Sequence, residues 1–179
     1  MNQETPPSPT PPDATVADWP TAGRVDGWRD FSDRVCAALA WASQMPCDLI
    51  LSDHDFKAWP LGQRAAVEAF QAWALGHSSG RVRGLLADPE PFVRAHPRWL
   101  DWRQRWSHRV EFFCADDEVK DQVPTLLLVG DALGLKVHDA RLGRGTWSRD
   151  ADTLKRWRDE FDVILQRSST SLPVTTLGL

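Results

Sequence analysis

The sequence predicts an α/β fold built on a mixed β-sheet of about five strands with helices on both faces. Three features point to it. Segments with apolar residues at three- and four-residue spacing alternate with short apolar runs bounded by polar residues. Those runs are rich in Leu, Ile and Val, as strands buried on both faces require. The last two are separated only by Gly130-Asp131-Ala132-Leu133-Gly134, which predicts an antiparallel hairpin in a chain that otherwise alternates strand and helix.

The elements follow in order. Residues 1–22 include Thr5-Pro6-Pro7-Ser8-Pro9-Thr10-Pro11-Pro12, whose prolines remove backbone donors and favour extended polyproline II, so they read as a disordered Pro-rich tail. A solvated leader is the plain reading; a peptide ligand for an aromatic-lined groove is the sharper one. Residues 23–179 then form a single α/β domain. Over 26–45, Trp28, Phe31, Val35, Leu39 and Ala42 share one helical face, and Pro46 ends the helix. Residues 48–53 form the first strand, and 61–76 a second helix with Ala65, Phe70, Trp73 and Ala74 along it. Residues 82–87 form the next strand. Asp88-Pro89 then supplies an N-cap and a first-turn proline for a helix that runs to about 108. Strands at 110–114, 124–129 and 135–140 follow, and a closing helix over 150–166 turns Leu154, Trp157, Phe161, Ile164 and Leu165 inward.

Composition narrows the classes of function. A chain of 179 residues is long enough to bury a core, and 42% apolar with 26% charged residues is globular in type. Ten Trp and no Tyr place much of the large apolar surface in indole rings, which predicts that they pack the core. A net charge of −4 argues against a whole-surface nucleic-acid binder, though not against a local basic face. Cys36, Cys47 and Cys114 form no CxxC pair, so reduced thiols in a cytoplasmic protein are expected, neither exported by a signal peptide nor inserted in a membrane.

Two groups of residues could carry chemistry. Asp53, His54 and Asp55 follow the first strand and Asp131 the fourth, a candidate strand-end site of the kind at which α/β sheets present ligands; the first three are of types that bind a metal or move protons, and all four equally serve as turn and capping groups. On the helix over 88–108, Arg94, Arg98, Arg105 and Arg109 fall in one sector beside a stripe of Trp99, Trp102 and Trp106. Such a ridge suits phosphate or carboxylate groups; alternatively the arginines pair with acids of the chain, such as Asp101, Glu111, Asp116 and Asp117, or lay their stems over the indoles. His54, His77, His96, His108 and His138 show no metal-ligand spacing, and HExxH, GxGxxG, GxxxxGKS and GxSxG are all missing, so no catalytic residue, metal or cofactor is predicted.

Residues 45–179 resemble the phospholipase D-like domain, in particular short bacterial proteins of unknown function that carry one degenerate half. The resemblance rests on Asp48-Leu49-Ile50-Leu51-Ser52, on Gly80-Arg81-Val82-Arg83-Gly84-Leu85-Leu86-Ala87-Asp88, on Ala95-His96-Pro97-Arg98-Trp99-Leu100 and on Phe161-Asp162-Val163-Ile164-Leu165-Gln166-Arg167-Ser168 before Leu177-Gly178-Leu179. Active members carry HxKxxxxD, in which histidine attacks phosphorus, lysine neutralises phosphate oxygens and aspartate ends the strand. With Asp131 as the acid, Pro124 stands at the histidine position and Leu126 at the lysine position. The resemblance therefore implies a non-catalytic binding or scaffold protein. It leaves open a homodimer and a phosphate-bearing ligand, alongside phosphate or nucleic-acid binding through the arginine face or a metal-dependent enzyme around Asp53, His54 and Asp55.

Overall fold

The computed structural model describes residues 15–172, so the proline run of the tail lies outside the described residues. The strands are β1 (Ala22–Asp26), β2 (Leu49–Asp53), β3 (Val82–Leu86), β4 (Val110–Ala115), β5 (Thr125–Val129), β6 (Leu133–Asp139), β7 (Arg144–Ser148) and β8 (Ser168–Ser171). The helices are α1 (Trp28–Ala42), α2 (Arg64–Gly76), α3 (Pro89–Ala95), α4 (Pro97–Arg105) and α5 (Ala151–Leu165), with 3-10 turns at Val16–Asp18, Pro60–Gly62 and Lys120–Gln122. All strands form one sheet in the order β1-β7-β6-β5-β2-β3-β4-β8. Only β2–β3 and β3–β4 pair in parallel, and the other neighbours are antiparallel, so the sheet is mixed as expected.

The sheet has eight strands, not about five. The three beyond expectation are β1, β7 and β8, with sequences AGRVD, RGTWS and SSTS. None shows an apolar run, because β1 and β8 are edges and β7, one strand in, buries only Trp147 and Ser148. Gly145 in β7 is required by its neighbour: a Cβ there would lie 2.0 Å from the Lys136 carbonyl oxygen. The predicted β5–β6 hairpin forms, but its turn is shorter than expected, since Leu133 and Gly134 already belong to β6.

Strand alternation divides the core. Leu49, Leu51, Leu127 and Val129 face α1 to α4, whereas Ile50, Leu85, Leu126 and Leu128 face α5 through Leu154, Trp157, Phe161 and Ile164. Seven of the ten tryptophans are buried: Trp19, Trp59, Trp73, Trp99, Trp102, Trp147 and Trp157, as core packing requires. Val16 and Trp19, which fall within the span expected to be tail, are buried too, and Trp19 lies against Trp147. The three cysteines are free thiols.

The Asp88 cap forms as predicted, its side chain accepting from the Glu90 amide at 3.1 Å. The helix it opens is two helices, however, because Pro97 has no N–H to continue the ladder and bars His96 from helical geometry. This break decides where the arginines go.

Candidate functional site

The carboxyl ends of β2, β3 and β4 meet the start of β5 at one end of the sheet. The register pairs Ser52 with Leu126, which brings Thr125 beside Asp53. The Asp53 carboxylate accepts the Thr125 hydroxyl hydrogen, the Phe56 amide at 2.7 Å and the Asp55 amide at 3.3 Å. Burial pushes its carboxyl above the usual range, against the opposing pull of the Thr125 hydroxyl and the two amides.

Phe56 adopts φ 57° and turns inward, fully buried. Its ring centroid lies 5.0 Å from Trp59, 5.1 Å from Phe92 and 5.9 Å from Phe112. Phe92 stacks on Phe112 at 5.4 Å, and Trp99 closes on both. Gly84 in β3 admits this layer, since a Cβ there would lie 2.2 Å from the Phe112 ring. The crevice in which an α/β sheet presents a ligand is therefore filled by aromatic rings of the chain itself.

His96, in the break between α3 and α4, is 3% exposed and donates from Nε2 to the Phe56 carbonyl at 2.8 Å. Burial holds its imidazole below the ordinary value, and Nδ1 has no partner.

The remaining strand-end residues do not gather with Asp53. His54 is exposed, and Asp55 is turned to Lys57 at 3.3 Å. Asp131 lies past the far end of β5, whose five residues span about 17 Å. There it accepts from Arg158 at 2.7 Å, which also donates to the Gly130 carbonyl at 2.7 Å. That opposite end holds an open surface depression of 440 Å³ bordered by Cys47, Asp48, Gly130, Asp131 and Arg158, with none of the Asp53 group in it. Among the described residues no three of His, Cys, Asp and Glu converge so as to hold a metal ion. Nor is any helix there long and apolar enough to cross a membrane.

The four arginines do not form one ridge. Arg94 is on α3 and pairs with Glu90, while Arg98 and Arg105 are exposed on α4, Arg98 donating to the Gly62 carbonyl at 3.2 Å. Arg109, beyond the end of α4, is buried. It donates to the carbonyls of Gly80 at 2.7 Å and Ala74 at 2.8 Å, and its guanidinium lies 4.5 Å from the Trp73 ring and 5.7 Å from the Trp106 ring. It therefore ties the end of α2 to the start of β4 and presents no charge to a ligand. Spacing and motif did not single out Arg103, also buried, nor Thr125, Phe56 or the bonding role of His96. Of these only Pro97 next to His96 leaves a local trace in the sequence.

The fold is a mixed α/β sheet of eight strands with helices on both faces. By its sequence the chain belongs to the family described as a domain of unknown function (DUF7931), whose model matches residues 31–177. No curated protein matches the sequence. Among solved structures, the chain is similar to TrmBL2, an archaeal chromatin protein whose structure shows a novel mode of DNA binding. The TM-score is 0.59 at 14% identity over 85% of this chain and 54% of that one, so this chain spans about half its length. It is also similar to Nuc from Salmonella typhimurium, a phospholipase D family member, at TM-score 0.51 and 8% identity over 85% and 97% of the two chains. NucT from Helicobacter pylori matches at TM-score 0.51 and 7% identity over 84% and 98%.

Asp53 generates a prediction. Its raised pKa means that protonation favours the folded state, so its contribution is full at acid pH and is lost as pH rises through the folded-state value. Asp53→Asn keeps an acceptor for Phe56 and a polar group for Thr125, and its stability should lie within about 1 kcal/mol of wild type at neutral pH, with this pH dependence removed. Asp53→Leu strands all three donors and should cost about 2–4 kcal/mol in chemical denaturation.

Proposed function

We propose that this chain is a non-catalytic phospholipase D-like binding or scaffold domain. The observation that carries the reading is the chemistry at the start of β5. Pro124, at the position the resemblance gives to the nucleophile, has no side chain that can attack phosphorus. Leu126, at the lysine position, is buried against the α5 side of the core. Phosphodiester transfer needs a nucleophile and a cation on the phosphate oxygens. Positions 124 and 126 supply neither, His96 at this end of the sheet gives its Nε2 proton to the Phe56 carbonyl, and the rings of Phe56, Phe92 and Phe112 pack beside it. A fold shared at low identity carries no activity with it, so the reading rests on these side chains.

A second reading, nucleic-acid binding, is favoured by the novel mode of DNA binding described for the archaeal chromatin protein and by the exposure of Arg98 and Arg105 on one side of α4. Asp101 shares that side, Arg94 is paired, and the overall charge is −4, which is why it stands second.

Assayed with bis(4-nitrophenyl) phosphate, the purified protein should show only background hydrolysis; turnover that disappears in Asp131→Asn would reverse the first reading. For the second, fluorescence anisotropy with double-stranded DNA at low salt should give binding that Arg98→Glu with Arg105→Glu weakens at least tenfold. Binding that the double substitution leaves unchanged would remove α4 from consideration.

A further inference from the structure

The loop between β2 and α2 crosses the carboxyl end of β2 and drives Phe56 and Trp59 into the aromatic layer. Phe56 holds φ at 57°, a left-handed value that costs a residue with a Cβ about 1–2 kcal/mol. Three hydrogen bonds keep it there. Its amide donates to Asp53 at 2.7 Å, and its carbonyl accepts from the Trp59 amide at 3.1 Å and from His96 Nε2 at 2.8 Å.

Because a carbonyl only accepts, the His96 proton is on Nε2 and Nδ1 carries a lone pair. Nδ1 is buried without a partner, and the backbone at Gly62 closes over it, since a Cβ there would lie 3.2 Å away. A proton arriving on Nδ1 would be a buried charge with nothing to receive its hydrogen bond.

We propose that the loop is an acid-released plug, in which protonation of His96 at Nδ1 draws residues 54–62 out of the crevice so that the ring can be hydrated. Around His96 the charged side chains are already engaged: Asp55 with Lys57, Glu90 with Arg94, Arg64 with Glu68, Arg98 with the Gly62 carbonyl and Asp53 with Thr125. The influences on the His96 imidazole are its burial and the Phe56 carbonyl, with no charged side chain among them. The Phe92 ring covers one side of the imidazole at 5.5 Å.

The closed form is thus fully favoured above the ordinary histidine value of about 6.5 and loses that advantage as pH falls through it toward the depressed value of the buried ring. Asp53 acts with the opposite sign, since protonation of its raised carboxyl favours the closed form. Release therefore belongs to the histidine range. It operates whether or not the domain turns over a substrate.

Hydrogen–deuterium exchange of the full chain, read as protection factors at pH 7.5 and 5.5, tests this. Amides of residues 54–63 should lose up to about tenfold protection at the lower pH while those of β5 keep theirs. His96→Gln, whose side-chain amide can donate to the Phe56 carbonyl without titrating, should show equal loop protection at both values. Undiminished loop protection at pH 5.5 in the wild-type chain, a loss shared equally by β5, or the same loss in His96→Gln overturns the proposal. The two wild-type outcomes decide it even if the variant fails to fold.

Discussion

A single buried carboxylate organises one end of this domain's sheet. Asp53 ends β2, the strand flanked in parallel by β3 and antiparallel by β5, which is where an α/β sheet opens a crevice for a ligand. Burying a carboxylate is costly unless donors meet it, and three do: one from β5 and two from the loop that follows. Those donors fix the path of the loop. The path turns Phe56 inward, and the aromatic rings of α3, α4 and β4 then have a partner to pack on. Closure of the crevice is thus a consequence of how one charge is satisfied, and it reaches from a strand end to the break between two helices.

How much of this was legible in the sequence depends on whether the information is local. β2, β3 and β5 were readable because burial on both faces leaves an unbroken apolar run. The face of α5 and the Asp88-Pro89 cap were readable because helical period and capping are local rules. β1, β7 and β8 were not: a polar or glycine-bearing segment joins a sheet only when a neighbour supplies the register, and that neighbour is distant in sequence. The arginine sector failed for a related reason. It assumed one continuous helix, and Pro97, in plain view, broke it. Arg109 then lies buried beside the Trp73 and Trp106 rings, which no spacing rule announces.

The strand-end group shows the same boundary. Asp53 and Asp131 both stand beside strands, but β5 runs antiparallel to β2, so the end that brings Thr125 to Asp53 carries Asp131 away. Only the sheet topology reveals this. What the sequence did expose, the ring-locked and aliphatic residues at positions 124 and 126, needed no topology, and it is on these residues together with the aromatic filling that the functional reading stands.

The most direct test of a closed crevice is a titration of the isotopically labelled protein with inorganic phosphate at neutral pH, followed by amide chemical shifts. With the crevice filled, the amide signals of Phe56, His96 and Thr125 should stay in place up to millimolar anion. Saturable shifts at those three amides would show that an anion enters the space that the aromatic rings are held to occupy, and would contradict a closed crevice.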